Sequence, residues 1–422
     1  MWGLRRRRLH STIATYVVLV GLATGCLAQF SPFPGPDWAS LNDAGEKAYQ
    51  RGQYAAAEKF FNSALDAVRQ YGPDDLRLAT TLNDLGLLYR AQGQLQKAEP
   101  LYLRALAIRE KKLGSDDPQV ASSLNNLAGL LAADGRYTDA EAMYQRALAI
   151  RTAKLGKSSP EVATVLNNLA GTYSAEGKYE QAEALFKQAL EIRESTLGAN
   201  HPDVANALNN LAGVYTFEGK YDKAEPLYQR AIAIDEKIDG PEQTALTMDL
   251  SNLAALYVQQ GKYELSVSLD QRALDIRDKT LGPMHPLTGA SAQNLARMYT
   301  AMKKYDLAEP QYKRALEIFQ KSLGAKSPEA GSVLDELSAM YVAAGKYAEA
   351  APVFAELIGV EEAVFGPTSA PLANTLPQYA DVLSKLGKHS EAEQAANRGK
   401  KINAALKATE STHPAANKPT EK

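Results

Sequence analysis

Asn126, Asn168, Asn210, Asn252 and Asn294 recur at intervals of 42 residues, and Asn125, Asn167 and Asn209 stand just before the first three. A carboxamide carries two donors and an acceptor, the set that pairs with an extended peptide backbone. Asn is a mediocre helix former, so its repetition within helical patterns is not explained by propensity. The same amides could instead satisfy one another as a ladder between repeats, since buried amides need partners in either case. The first Asn of each pair suits a structural or rim position.

No other constellation suggests chemistry. His10, His201, His285, His389 and His413 are scattered, and His201 and His285 precede a proline, where a turn role is expected. There is no Cys–His pair, nucleophile elbow, phosphate loop or dinucleotide fingerprint. Glu141, Glu183 and Glu225 share one position of the period and read as a solvated helical stripe. The expectation is a non-catalytic chain with no cofactor and no metal.

The elements that carry the asparagines follow from the period. Gly93, Gly135, Gly177, Gly219 and Gly261 lie 42 apart, Lys303 takes the next slot, and Gly345 and Gly387 resume the series; Gly52 is one residue out of phase. Two residues later comes an aromatic (Tyr54, Tyr137, Tyr179, Tyr221, Tyr263, Tyr305, Tyr347), expected to fill a wedge between helices. Five residues after the turn is a small residue, Ala57 through Ala392, with Ser266 the exception to Ala. Within one unit, Val120, Leu124, Leu127, Ala128 and Leu131 mark one amphipathic helix, and Ala140, Met143, Tyr144, Ala147 and Leu148 mark a second. The second ends at Gly156, expected to be a left-handed cap, and equivalents are Gly72, Gly114, Gly198, Gly240, Gly282, Gly324 and Gly366. A cap residue and Pro then open the next helix, as in Asp117-Pro118 and Ser159-Pro160. The fold class is all-α: a solenoid of about nine 42-residue helix-turn-helix repeats over 38–400. Pro377 should start or kink the last first-helix, a final helix should cover 390–407, and 408–422 should be a disordered tail.

The first residues read as an address. Arg5, Arg6, Arg7 and Arg8 precede the apolar run 16–22 and then small residues, the order of a secretory signal peptide over 1–28. Cleavage after Ala28 is one reading. The other takes Ala23-Thr24-Gly25-Cys26 as a lipoprotein signal, with Cys26 the candidate lipidation residue and the chain's one membrane anchor. Without the four arginines the chain carries six more acidic than basic side chains, which argues against a nucleic-acid partner.

The run Leu124-Asn125-Asn126-Leu127-Ala128, Gly135-Arg136-Tyr137, Ala140-Glu141, Tyr144 through Arg151 and Leu155-Gly156 resembles the kinesin-light-chain type of tetratricopeptide repeat. The resemblance covers nearly the whole chain after the leader and implies a right-handed superhelix whose first helices line a concave groove. It implies that Asn126, Asn168, Asn210, Asn252 and Asn294 face that groove and bond an extended peptide's backbone, with Asp84 and Glu336 departing at either side. It also implies that Arg109, Arg151, Arg193 and Arg277 add charge to the groove, a row that Asp235 and Phe319 interrupt.

Together these features describe an exported scaffold, periplasmic or lipid-anchored in a bacterium, that binds a protein or extended peptide. A regulatory or docking subunit for a separately encoded envelope enzyme is the alternative. A carbohydrate reader is weaker, because Trp38 is the only Trp after the leader. Cys26→Ser should leave export and location unchanged if cleavage falls after Ala28, and should abolish membrane association if Cys26 is acylated. Fractionation of both forms separates these outcomes, and a membrane-bound mutant marks an uncleaved anchor.

Overall fold

Glycines with positive φ set the grain of the fold. In the computed structural model, which describes residues 37–237 and 243–412, they end most of the helices, and the described residues form nine antiparallel pairs. The pairs are α1 (Trp38–Gln50) with α2 (Tyr54–Val68), α3 (Leu76–Ala91) with α4 (Leu95–Leu113), and α5 (Pro118–Ala133) with α6 (Tyr137–Leu155). Then come α7 (Pro160–Ala175) with α8 (Tyr179–Leu197), α9 (Pro202–Phe217) with α10 (Tyr221–Asp235), and α11 (Gln243–Gln259) with α12 (Tyr263–Thr280). The last three are α13 (Pro286–Ala301) with α14 (Tyr305–Ser322), α15 (Pro328–Ala343) with α16 (Tyr347–Phe365), and α17 (Ala370–Lys385) with α18 (His389–Thr412). Residues 1–28, Cys26 and Gly240 lie outside the described residues.

Each turn inside a pair is closed by backbone bonds across a glycine: with Gly135 at φ +78°, the Arg136 N–H donates to Leu131 O at 2.9 Å. Lys303 fills this slot at φ +58°, the one non-glycine in that region among the described residues. The glycines between pairs differ from expectation. Gly198 has φ +87° and ψ 153°, an extended mirror conformation essentially closed to other residues, not the left-handed helical cap. The next caps along the chain behave as expected: Asp117 accepts from the Gln119 N–H at 2.7 Å, and the His201 and His285 rings accept from N–H groups two residues on at 3.1 Å.

Two residue rows let the helices close. Ala57, Ala98, Ala140, Ala182, Ala224, Ser266, Ala308 and Ala350 are fully buried. Of the aromatics just after the turn, Tyr179, Tyr221, Tyr305 and Tyr347 pack on the edge of the core and Tyr54 is exposed, so they do not fill the depth of the wedge. That role falls to a row seven residues later, with Phe61, Tyr102, Tyr144, Phe186, Tyr228, Tyr312 and Phe354 all buried. A Cβ at Gly86 would sit 2.7 Å from the Tyr102 ring, so this glycine allows the ring its seat. Every second helix packs on the first helix of the next pair, and most successive first helices also approach each other. No comparable approach joins successive second helices, so the first helices line the inside of the curve.

At the last pair α17 neither starts nor breaks at Pro377 but runs through it. Pro377 is exposed, and Gly399 of α18 makes room for its ring, since a Cβ there would lie 3.3 Å from Pro377 Cδ. Leu376, Ala380 and Leu383 are buried against α18 and hold the helix across the lost backbone bond. Helix α18 continues to Thr412, into the start of the expected tail.

One unit breaks the rules. Asp270 stands in the aromatic row and Ser266 in the alanine row, and the apolar core divides there, one cluster ending at Ala273 and the next beginning at Leu274. The approach between α11 and α13, like that between α15 and α17, is also weaker than that between the other successive first helices. At the junction before it, Asp235 and Asp249 are 2% and 4% exposed. Burial, with the Asp235 charge beside it, pushes the Asp249 carboxyl up to about 7, and burial pushes Asp270 up to about 6.

A Cβ on Gly198 would meet no atom within 4 Å, so Gly198→Val should act chiefly through backbone strain, about 1–3 kcal/mol at one junction. Because each pair contacts only its neighbours, the thermal melt should divide into two transitions; a single unchanged transition would contradict a nearest-neighbour array. The Asp249 proton leaves the unfolded chain near its ordinary 3.8 but is kept in the fold up to about 7. Stability should therefore fall as pH rises from about 4 to about 7, by up to about 1.4 kcal/mol per pH unit. Asp249→Asn should flatten that slope and stabilise the chain at pH 7.5 by about 1–3 kcal/mol, read by urea unfolding at both pH values.

Candidate functional site

The inner face is a stripe of four positions on each first helix, spaced i, i+4, i+7, i+11. In α9 these are Asn206, Asn210, Gly213 and Phe217; in α7, Thr164, Asn168, Gly171 and Ala175; in α11, Met248, Asn252, Ala255 and Gln259. Asn126, Asn168, Asn210, Asn252 and Asn294 all occupy the second position and are partly or fully exposed.

These asparagines are not free-standing. Asn126 Nδ2 donates to Asn83 Oδ1 at 2.8 Å, Asn168 to Asn125 at 3.0 Å, Asn210 to Asn167 at 2.9 Å and Asn252 to Asn209 at 3.1 Å. The second Asn of one repeat thus bonds the first Asn of the repeat before it, and the first Asn is the acceptor of a ladder. The rungs persist at the departures from the pattern with their polarity reversed. Asn42 Nδ2 donates to Asp84 Oδ2 at 2.9 Å and Gln293 Nε2 to Glu336 Oε1 at 3.0 Å, because a carboxylate can only accept. Asn294 has Ser251 where its acceptor would stand, and its Oδ1 accepts from Arg297 Nη1 at 3.2 Å instead. The signal in the sequence is a spacing of 43, one period plus one residue, shortened to 42 at Asn42–Asp84, where the first unit is out of phase.

The arginine row is not part of this face. Arg109, Arg151, Arg193 and Arg277 are 8–9% exposed, and their guanidinium groups fasten one repeat to the next. Arg109 Nη1 donates to Ser123 Oγ at 2.7 Å, Arg151 Nη1 to Glu161 O at 2.8 Å, Arg193 Nη1 to Asp203 O at 3.1 Å and Arg277 Nη1 to Ser291 Oγ at 2.5 Å. Desolvation lowers the pKa of all four, so their charge is spent inside the junction and no basic track lines the groove. Phe319 fills the slot with a buried ring, and Glu361 accepts from Thr375 Oγ1 at 2.9 Å.

Glu141, Glu183 and Glu225 also differ from the solvated stripe expected of them. Each is partly buried and accepts a hydroxyl from the next repeat: Tyr173 at 2.7 Å, Tyr215 at 2.9 Å and Tyr257 at 2.9 Å. Burial and this bond push the Tyr173 hydroxyl up to about 12. No cluster of metal-ligating side chains occurs among the described residues.

Sequence reasoning missed Phe217, whose ring is 69% exposed, more than any other large apolar side chain described. It stacks on Tyr179 with centroids 6.1 Å apart and planes 9° apart. Beside it lies a recess bordered by Asn210, Gly213, Asn252, Ala255 and Gln259. Its row carries Ala in most other units, so periodicity made Phe217 visible only as a departure.

No curated protein sequence matches the chain. Among solved structures, BtubC (BKLC) from P. vanneervenii is 27% identical, covering 58% of this chain and 90% of its own, with a TM-score of 0.43. A Podosopora anserina protein titled as a kinesin light chain with nearly identical TPR-like repeats is also 27% identical, covering 49% and 98%, with a TM-score of 0.44. The apo quorum sensor NprR from B. thuringiensis, 14% identical over 86% of this chain and 98% of its own, has a TM-score of 0.52 and shares the fold. A tetratricopeptide repeat model matches residues 39–111, 89–153, 119–195, 161–237, 244–321 and 290–360, so the chain belongs to the tetratricopeptide repeat family.

Proposed function

We propose that the chain is a non-catalytic scaffold that holds an extended polypeptide along its inner face, outside the cytoplasm. The observation that carries this reading is the carboxamide ladder. A rung uses one N–H of each second Asn and leaves the other N–H and the carbonyl to the groove. The rung also fixes the amide plane, so less side-chain freedom is lost on binding. One such amide per repeat forms a row of paired donors and acceptors, the complement of an extended backbone. Each bond contributes only about 0.5–1.5 kcal/mol net, so several must act together. The basic and apolar leader supports export to the envelope.

The ladder supplies its own control. Asn168/Asn210→Ala and Asn125/Asn167→Ala break the same two rungs from opposite sides, so both should lower stability by a similar amount, about 1–3 kcal/mol in total. Only the first pair removes amides from the second position of the stripe. Immobilised chain should capture a partner from envelope extract, and titration of that partner should show about tenfold or greater weakening for Asn168/Asn210→Ala and less for Asn125/Asn167→Ala. Equal weakening by the two pairs would mean that the amides act only through the ladder, and the binding assignment fails.

A further inference from the structure

The middle of the inner face carries no ionisable side chain. Across α7, α9 and α11 the twelve stripe positions are carboxamide, hydroxyl, glycine or apolar residues. Charge appears only at the two ends of that stretch. At one end Arg90 reaches over the next helix, its Nη1 lying 2.8 Å from where a Cβ on Gly129 would be. At the other, Arg297 and Glu336 are paired at 2.5 Å. The rim beside the stretch is neutralised as well, because Lys178 pairs with Glu176 at 2.9 Å and Lys220 with Glu218 at 2.7 Å. A charged side chain laid on this floor would lose hydration without gaining a counter-charge.

The glycines of the same stretch, and the ring beside them, shape that floor. Glycine inside a helix costs about 1 kcal/mol relative to Ala, yet neither Gly171 nor Gly213 is required by internal packing. A Cβ on Gly171 would meet nothing within 4 Å, and one on Gly213 only the Tyr228 hydroxyl at 3.8 Å. Their missing side chains leave the floor open between Asn168, Asn210 and Asn252. Phe217 then presents a supported, exposed ring at the edge of the recess above Gly213. Stacked aromatics of this kind are suited to gripping an apolar side chain.

We propose that the segment held between α7 and α11 is an uncharged stretch of extended polypeptide that seats one aromatic or branched aliphatic side chain against Phe217. This specificity rests on the groove reading above. The rungs supply backbone recognition that is blind to sequence, whereas the charge-free floor and Phe217 choose among sequences. Net-acidic and net-basic segments are excluded by desolvation.

The test is selection of a phage-displayed random dodecapeptide library on the full chain, with titration of the enriched peptides. The expected consensus lacks Asp, Glu, Lys and Arg over its core and fixes one bulky apolar residue. Phe217→Ala should weaken those peptides at least about tenfold with an unchanged melting temperature, since the ring is mostly exposed. Gly213→Leu should weaken them as much while the melting temperature holds or rises, because Leu is the better helix former. A charged consensus, or peptides indifferent to both substitutions but weakened by Asn168/Asn210→Ala, overturns the specificity and leaves groove binding standing. Peptides indifferent to all three variants, or no enrichment at all, overturn both.

Discussion

Everything in this molecule depends on the seam between one helix pair and the next. A single pair exposes an apolar stripe on each helix that it cannot cover itself, so folding is favourable only when a neighbour closes over it. The closure is tight: fully buried alanines let the backbones approach, and an aromatic ring from each second helix fills what remains. At Gly86 the approach leaves no space even for a methyl group beneath the Tyr102 ring.

Sealing that seam also buries polar groups, and three kinds of bond satisfy them. Carboxamides pair across the inner face, tyrosine hydroxyls reach partly buried glutamates, and arginines reach hydroxyls or carbonyls at the start of the next pair. Each kind recurs with the period. The seams around α11 and α12 carry different residues and pack differently: two carboxyls face one junction, a third replaces a ring at the next, and the apolar core divides. Burial of the Asp249 and Asp270 carboxyls makes these seams acid-favoured.

The candidate site is continuous with this architecture. The asparagines that face the groove are also rungs of the inner ladder, so the side chains available to a ligand are oriented by the bonds that hold the repeats together. In the proposed groove reading, that coupling would remove a cost of binding and make the site sensitive to the curvature of the array. It also explains why Asn can be repeated in mid-helix despite its poor propensity. The penalty in each helix is offset by a bond between helices.

The period, the glycines that end the helices, the capping residues and the α-helical class were legible in the residues alone, because each is a local requirement met within a few positions of the chain. Pro377 was read too locally: its effect on α17 was overridden by the packing of Leu376, Ala380 and Leu383 against α18. The asparagine row was visible too, along with both of its possible roles, groove contact or ladder. Which repeat each amide bonds depends on a neighbour 43 residues away, and no local rule reports that. The arginines show the limit most clearly. Their spacing placed them on one face of four of the second helices, but only the next pair closing over that face turned four charges into buried fasteners, at the point where Ser123, Ser291 and the carbonyls of Glu161 and Asp203 wait for them.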